Sequence, residues 1–294
     1  MSLAIAIISL ASYSTEQFVT FTRGDVCLTD KHGDIVFDQN DWKGVLIAVD
    51  NLKEDLRKVT GRCDFPITIG TLGKSSVIGK VLKKNKALKS ELEGKWEKYI
   101  ITSDDNGIVI AGSDKRGTIF GIYELSRQLG VSPWYWWADA PIAKHDKVYI
   151  KKGLYTDGEP AVKYRGIFIN DEWPSFGTWA NNLFGGINSK MYATMFELLL
   201  RLKANYLWPA MWSSAFNEDD PLTQALADEY GIVLGTSHHE PLMRAHKEYG
   251  NRKREIGAWD YIGNHDNIEK FFTEGVERAK NYDHIITIGM RGAG

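Results

Sequence analysis

Two adjacent acidic residues, Asp171 and Glu172, directly follow the apolar segment 164-YRGIFIN-170 and precede Trp173. Sheet formation calls for no carboxylate at this place, so the pair is a candidate for chemistry. Two carboxyl groups that face each other across a cleft can hydrolyse a glycosidic bond: one protonates the leaving oxygen, and the other activates water or attacks the sugar. Neighbours on an extended backbone point to opposite faces. We therefore expect one of the two to serve the site and the other to be structural, paired with Arg165 or capping a loop.

A second polar group is the run His238, His239 and Glu240. The run lacks the i, i+4 histidine spacing of a zinc-binding H-E-x-x-H helix, and no further cluster of Cys or His completes a ligand set. Hydrogen bonds to sugar hydroxyl groups, or from a charged histidine to a carboxylate, are the chemistry we expect. No metal site is predicted.

Three further residues could bind a substrate by charge or by stacking. Arg291 could form two parallel hydrogen bonds with a substrate carboxylate, or it could pair with an acid of the site. Trp208 and Trp212 lie four residues apart and either pack in the core or form a platform for a sugar ring. A further aromatic run, 132-SPWYWWADAP-141, either packs between two domains or forms a sugar-stacking wall.

The composition of the chain limits its partners. In 294 residues, Lys and Arg number 36 against 38 Asp and Glu, a net charge of -2. A nucleic acid or an anionic membrane calls for a positive excess, so both partners are excluded. No apolar run approaches the roughly 20 residues of a membrane helix. Aromatic residues make up 12% of the chain, with 10 Trp. Such residues are common on surfaces that stack sugars or bases, and the balanced charge favours sugars.

The two cysteines, Cys27 and Cys63, are too few for a disulfide framework and lack metal-ligand spacing. One disulfide between them is left open. The opening MSLAIAIISLAS has about the length of the apolar region of a signal peptide, but no basic residue precedes it and no clear cleavage site follows. We expect an ordered first strand there, with a signal-peptide remnant as the alternative.

The first half of the chain alternates short β-type segments with helices. Hydrophobic residues recur at helical spacing over 46–61, and 117–130 is a second predicted helix. Between them, 97–114 is predicted to form a β-hairpin around the turn sequence DDNG. Three glycines match neither a dinucleotide-binding nor a Walker motif, and we interpret them as sites of close helix–sheet packing. They are Gly112, Gly117 and Gly121.

From about residue 162, longer β and α segments alternate. Strands are predicted at 164–170, 206–211, 232–238 and 284–290. Helices are predicted at 188–205, 221–231, 241–250 and 266–282. This alternation is typical of a doubly wound sheet or a (β/α)8 barrel. All four strands end in residues that could do chemistry, as at the active-site face of a barrel, whereas a doubly wound sheet concentrates function at one switch point. The pattern favours a barrel, with its strands neighbouring one another in chain order.

Three long segments resemble glycoside hydrolase family 115, the xylan α-1,2-glucuronidases: RGIFINDEWPSFGTWA, GGINSKMYATMFELLLRLKANYLWPAMW and GTSHHEPL. The earlier segment GSDKRGTIFGIYELSRQLG and the aromatic run over 132–141 are similar to the N-terminal domain of that family. The resemblance implies a small α/β sandwich-like domain over residues 1–155. It also implies that residues 156–294 are the first four strands of a (β/α)8 barrel.

The resemblance further implies inverting removal of glucuronic acid, or of its 4-O-methyl ether, from glucuronoxylan or its oligosaccharides. It implies no metal and no organic cofactor, and a polysaccharide substrate implies a secreted or periplasmic protein. The residues taken as catalytic are Asp171 and Glu172. The residues taken as substrate-binding are Trp173, Trp208, Trp212, His238, His239, Glu240 and Arg291.

The family's Met-Arg-Gly motif continues into an acid-containing segment, whereas this sequence reads 290-MRGAG-294. We therefore expect an N-terminal fragment that is inactive alone and whose open sheet edges favour self-association. Two alternatives are left open. One is a hexosaminidase-like glycosidase, which shares the domain arrangement but relies on an adjacent Asp–Glu pair late in the barrel. The other is a non-catalytic carbohydrate-binding module that uses the tryptophan-rich surface.

Overall fold

The computed structural model describes residues 16–170, 172–209, 213–238 and 240–289. The contacts within the chain define two compact units of mixed α/β structure. The first unit consists of residues up to 38, 56–130 and 143–161, and the second of 39–55, 131–142 and the residues from 162 onward. The predicted domain division after residue 155 stays a prediction. The ordered strand expected at the start of the chain lies outside the described residues.

The first unit contains a three-stranded and a five-stranded sheet, in the orders β1-β7-β2 and β3-β4-β6-β5-β8. Its strands are β1 (Val19–Thr20), β2 (Val26–Cys27), β3 (Ile35–Val36), β4 (Ile67–Thr71), β5 (Tyr99–Asp104), β6 (Gly107–Gly112), β7 (Tyr149–Ile150) and β8 (Gly153–Tyr155). The helices in this part of the chain are α1 (Lys43–Thr60), through which the division between the units passes, α2 (Ser76–Lys84), α3 (Lys86–Ser90) and α4 (Lys115–Gln128). Cys27 and Cys63 are both free thiols.

The predicted hairpin is confirmed as β5 and β6, which pair antiparallel from Tyr99 opposite Gly112 to Asp104 opposite Gly107. In its turn, the Asn106 amide donates to the Asp104 side chain at 2.7 Å. The interpretation of the glycines also holds. A Cβ on Gly112 would overlap the backbone of Thr118, and one on Gly117 would overlap the Lys98 carbonyl. Only glycine lets α4 lie this close to the sheet.

The second unit contains a four-stranded sheet, all of whose strand pairs are parallel, in the order β9-β10-β11-β12. Its strands are β9 (Gly166–Phe168), β10 (Tyr206–Trp208), β11 (Val233–Gly235) and β12 (His284–Ile285). Its helices are α5 (Ser175–Phe184), α6 (Ser189–Arg201), α7 (Phe216–Asp219), α8 (Leu222–Tyr230), α9 (His246–Ile256) and α10 (His265–Ala279). The predicted strand order is confirmed, although each strand is shorter than predicted and has only two or three residues in the ladder.

The two faces of this sheet differ. On one face, Leu207 and Leu234 are cross-strand neighbours and fully buried. The alternation of side chains along β10 places Tyr206 and Trp208 on the opposite face. At the carboxyl ends of the strands, the chain leaves the sheet in loops that carry most of the candidate residues. Among the described residues, no helix is long and apolar enough to cross a membrane.

Several helices differ from the prediction. Helices α2, α3, α5 and α7 were not predicted, and the helix predicted over 241–250 begins only at His246, after a 3-10 turn at Pro241–Met243. Leu242 and Met243 have φ 52 and φ 62, and such left-handed conformations cannot belong to a right-handed helix.

Candidate active site

Glu172 lies in the loop between β9 and α5, with an exposed side chain. The Asn170 side-chain amide donates to the carboxylate of Glu172 at 3.2 Å. The backbone carbonyl of Glu172 accepts from the Gly177 amide at 3.1 Å, so the residue also fixes the first turn of α5. Arg165 donates to three backbone carbonyls, those of Lys203, Val162 and Lys163. Glu172 therefore presents a carboxylate to solvent from an anchored backbone.

Trp173 connects the ends of β9 and β10. Its indole N–H donates to the Ser213 hydroxyl, in the loop after β10, at 3.2 Å. A Cβ on Gly177 would overlap the indole ring, so this glycine in α5 makes room for the tryptophan. Trp173 is 59% exposed in spite of these contacts. A large aromatic ring that is held in place and still faces solvent suits a sugar.

Trp208 is held by packing on the sheet. It meets Phe168 of β9 edge-on, with ring centroids 5.6 Å apart, and its indole N–H donates to the Tyr206 hydroxyl. Gly235 of β11 leaves room for both side chains, because a Cβ there would overlap the Tyr206 hydroxyl. Burial raises the pKa of Tyr206. Of the two roles open from the sequence, these contacts support packing, with one partly exposed ring surface.

The loop after β11 is fixed to the segment that follows β12. The Thr236 hydroxyl donates to the Glu240 carbonyl at 2.7 Å, and the Thr287 hydroxyl donates to the Thr236 carbonyl at 2.6 Å. Glu240 is only 3% exposed, and its carboxylate accepts from the Ser237 amide at 3.4 Å. His238, by contrast, is exposed. The run therefore divides into a buried acid that shapes the loop and a histidine that faces solvent.

An ion-pair network behind this loop was missed by the sequence analysis. Arg244 is buried and binds Glu248, which is fully buried, at 2.6 Å. Arg278 donates to the Met243 carbonyl at 2.8 Å and to Glu248 at 2.5 Å. Burial, reinforced by the charge of Glu248, raises the pKa of nearby Glu218. The i, i+4 spacing of Arg244 and Glu248 was the signal that could have revealed the network. The ion-pair network holds the turn at Leu242 and Met243 in place, through the bond from Arg278 to the Met243 carbonyl.

The aromatic run over 132–141 belongs to the second unit. Trp137 packs against Trp179 of α5 with ring centroids 5.2 Å apart, and Trp136 meets Trp137 edge-on at 5.1 Å. Phe184 extends this cluster. Packing within one unit explains Trp137, whereas Trp136 remains 41% exposed.

Four of the predicted site residues lie outside the described residues: Asp171, Trp212, His239 and Arg291. The other five, Glu172, Trp173, Trp208, His238 and Glu240, all lie at or just beyond the carboxyl ends of β9, β10 and β11. Within the described ranges, no three His, Cys, Asp or Glu side chains are grouped as metal ligands would be. This edge of the sheet offers a solvent-facing carboxylate, a solvent-facing imidazole and aromatic surfaces, which are the groups that bind and hydrolyse a sugar.

Residues 157–294 match the model of glycosyl hydrolase family 115. The solved structure of a family 115 4-O-methyl-α-glucuronidase with specificity for decorated arabinogalactans is similar to the chain, with a TM-score of 0.78 and 31% identity over 94% of the chain. The chain belongs to glycoside hydrolase family 115. It spans 37% of the length of that glucuronidase.

Two other solved structures are more distant from this family 115 chain. A chitobiase from Flavobacterium johnsoniae has a TM-score of 0.45 at 15% identity, and the match covers 76% of the chain and 34% of the chitobiase. An exo-β-N-acetylglucosaminidase from Vibrio harveyi has a TM-score of 0.43 at 10% identity, covering 75% and 34% of the two chains. No curated protein sequence matches the chain.

Proposed function

We propose that the chain is the N-terminal part of an α-glucuronidase that removes glucuronic acid, or its 4-O-methyl ether, from a decorated polysaccharide with inversion. In this proposal, the sheet β9-β10-β11-β12 is the first half of a (β/α)8 barrel. One observation carries it: a chain of family 115 presents four parallel strands in chain order, with acidic, aromatic and histidine side chains beyond their carboxyl ends. In barrel enzymes the active site lies at that end of the strands.

The residues divide the work as follows. Glu172 or Asp171 supplies one carboxyl group of the pair that an inverting enzyme needs, with the two groups about 6.5 to 9.5 Å apart. Trp173 stacks on the sugar, because its ring is exposed while its N–H is held by Ser213. His238 faces solvent and, when protonated, suits the carboxylate of a uronic acid. Glu240 acts through the loop that presents His238.

The remaining predicted residues complete the substrate site in this proposal. Trp208 offers its partly exposed ring surface to the substrate. Trp212, His239 and Arg291 bind the substrate as well, and the guanidinium of Arg291 suits a bidentate contact with the uronate carboxylate.

Glucuronoxylan is the first substrate candidate, and a decorated arabinogalactan is the second. The second is favoured by the glucuronidase to which the chain is 31% identical, which has specificity for decorated arabinogalactans. Both polymers would offer a terminal uronic acid on a neutral polysaccharide chain. A substrate of this size cannot enter a cell, so the proposal includes a secreted or periplasmic location.

We also propose that the chain alone releases no glucuronic acid. The described sheet has four strands, half of those in a barrel, and a catalytic pair usually draws on well-separated strand ends. The complete protein, expressed from the open reading frame that contains this sequence, should release glucuronic acid from glucuronoxylan or from decorated arabinogalactan. The chain on its own should not.

Three results would reject parts of this proposal. Release by the chain alone would show that its own residues suffice. Hydrolysis of N-acetylglucosaminides instead of glucuronides by the complete protein would favour a hexosaminidase-like enzyme. Polysaccharide binding without any hydrolysis by the complete protein would favour a carbohydrate-binding module.

A further inference from the structure

A cavity of about 220 Å³ lies within the second unit, between the aromatic run and helix α6. Its lining comes from Pro133, Tyr135, Trp136, Trp137, Thr194, Glu197, Leu198 and Arg201. These residues are distinct from those proposed above for the active site. The cavity is smaller than the roughly 300 to 1,000 Å³ of pockets that take drug-sized ligands, so its natural occupant is a single small ring. We call it the Trp136 pocket.

The aromatic wall of the pocket is more exposed than packing requires. Trp137 stacks on Trp179 and is half-buried, as a residue of an aromatic cluster is expected to be. Trp136 packs against the same cluster, with its ring centroid 6.3 Å from that of Trp179 and 6.0 Å from that of Phe184, yet it lines the cavity and remains 41% exposed. An indole that is fixed by its neighbours can stack on a sugar with little loss of side-chain entropy.

The polar wall of the pocket is a hydrogen-bond network around the carboxylate of Glu197. The Tyr135 hydroxyl donates to Glu197 Oε1 at 3.1 Å, and Arg201 Nε donates to the same oxygen at 2.7 Å. The guanidinium of Arg201 also binds the two carboxylate oxygens of Asp55 at 2.8 and 3.3 Å. Within the described part of the chain, both bonds to Glu197 use Oε1, which leaves Oε2 to accept from a ligand.

The charges of this network select against an acidic ligand. Two carboxylates, those of Asp55 and Glu197, surround the single guanidinium of Arg201. Burial, reinforced by Glu197, raises the pKa of Tyr135 to about 12, so the phenol stays neutral and donates a hydrogen bond to Glu197. The guanidinium of Arg201 already binds both carboxylates, and a neutral polyol can donate to Glu197 whereas a uronate carboxylate would be repelled by it, so the pocket favours a neutral polyol over a uronate.

We propose that the Trp136 pocket is an accessory binding site for one neutral pyranose unit of the polysaccharide main chain. The sugar ring stacks on Trp136, and one of its hydroxyl groups donates to Glu197 Oε2. The choice of a polysaccharide rests on the proposed function, whereas the preference for a neutral ring rests on the pocket itself. The site would hold the main chain while the active site removes its acidic branches.

Calorimetric titration of the chain with two neutral probes tests the proposal: xylohexaose, for a xylan main chain, and β-1,3-galactohexaose, for an arabinogalactan main chain. We expect one probe to bind with a Kd of about 0.1 to 1 mM, and free glucuronic acid to bind at least tenfold more weakly. Trp136→Ala should weaken binding at least tenfold. Glu197→Gln should keep binding of the neutral probe within a few fold and should reduce the discrimination against glucuronic acid.

Trp134→Ala is the matched control, because Trp134 belongs to the same run and is 45% exposed but does not line the cavity. Circular dichroism verifies the folding of each variant, and Trp136→Phe replaces Trp136→Ala if the latter does not fold. Equal losses for Trp134→Ala and Trp136→Ala would overturn the proposal. The proposal would also be overturned if neither probe binds at a concentration tenfold above the expected Kd. Loss of binding in Trp173→Ala, with binding retained in Trp136→Ala, would overturn it as well.

The outcome is separable from that of the proposed function. Trp136-dependent binding by the chain, together with a complete protein that releases no glucuronic acid, would uphold the pocket and reject the enzyme. Release of glucuronic acid, together with no binding of neutral sugars by the chain, would do the reverse.

Discussion

At the scale of single residues, the loops beyond the sheet combine groups of opposite exposure. Glu172 and His238 face solvent, while Glu240 and Glu248 are buried. A buried carboxylate has to be satisfied by donors, as Glu248 is by Arg244 and Arg278. The solvent-facing pair can therefore meet a substrate, while Glu240 shapes the loop that carries His238 and Glu248 binds the arginines that hold the turn at Leu242 and Met243.

The carboxylates of the Asp-Glu-Trp motif provide the first prediction. In the complete protein, Asp171→Asn or Glu172→Gln should lower kcat by about 10² to 10⁴-fold, because in the proposed mechanism one of the two residues acts as the acid or the base. The control is Glu277→Gln on α10. Glu277 forms an exposed ion pair with Lys280, and its replacement should leave kcat unchanged. Release of glucuronic acid is the measurement. Full activity in both single variants and in the double variant would show that the catalytic pair lies elsewhere.

His284 in β12 provides a prediction of pH dependence. Burial lowers its pKa, so the folded chain binds fewer protons at this residue than the unfolded chain, whose pKa is about 6.5. The stability that depends on neutral His284 is fully present above that value and is lost as the pH falls toward the folded pKa. His284→Leu should therefore flatten the dependence of the unfolding free energy on pH below about 6.5.

Urea-induced unfolding at a series of pH values measures this effect. An unchanged slope in His284→Leu would show that other groups set the acid sensitivity.

At the scale of elements, the sequence predicted those with a strong local pattern. The hairpin of β5 and β6 follows from its turn residues, and α6 follows from its hydrophobic spacing and its cap, Asn188, whose side chain accepts from the amides of Lys190 and Met191. Helix α5 has no comparable signal, because its aromatic residues serve a cluster with Trp136 and Trp137 that forms only in three dimensions. Tertiary contacts also decided where α9 begins, since Met243 is held at positive φ by the bond from Arg278.

The same limit applies to the candidate site. Its strand ends could be predicted, because polar residues interrupt an alternation of β and α segments. The exposure of His238 and the burial of Glu240 could not, since both depend on bonds to Thr236 and Ser237 that the spacing does not encode. Nor could the Trp136 pocket, whose polar wall joins Asp55 to Arg201, 146 residues apart.

Gly166 tests the pairing of β9 with β10. A Cβ at this position would overlap the carbonyl of Tyr206, so Gly166→Ala should destabilise the sheet by about 1 to 3 kcal/mol. Gly79→Ala, in α2, has open space around the added methyl group and should be neutral or stabilising by up to about 1 kcal/mol. Hydrogen exchange of the β10 amides measures the effect. Equal protection of β10 in the two variants would contradict this pairing.

At the scale of the whole molecule, the sheet of the second unit leaves apolar surface exposed. Parallel sheets are usually covered on both faces, yet Phe168 of β9 is 44% exposed and Ile285 of β12 is 37% exposed. Within the described residues, β9 and β12 are also the two edges of the sheet. Exposed edges and apolar faces of this kind promote association between copies of a chain.

The chain alone should therefore self-associate, with an average mass that rises from micromolar to millimolar concentration in sedimentation or light-scattering measurements. A charge beside an open edge opposes such pairing. Ile288→Lys, at an 87% exposed position just after β12, should shift association to higher concentration. Ile262→Lys, at a 94% exposed position before α10, removes a similar apolar side chain away from the sheet and should have little effect. If the two variants associate equally, or the chain stays monomeric throughout, the edges of the sheet are not the contact, and the half-barrel proposal loses this support.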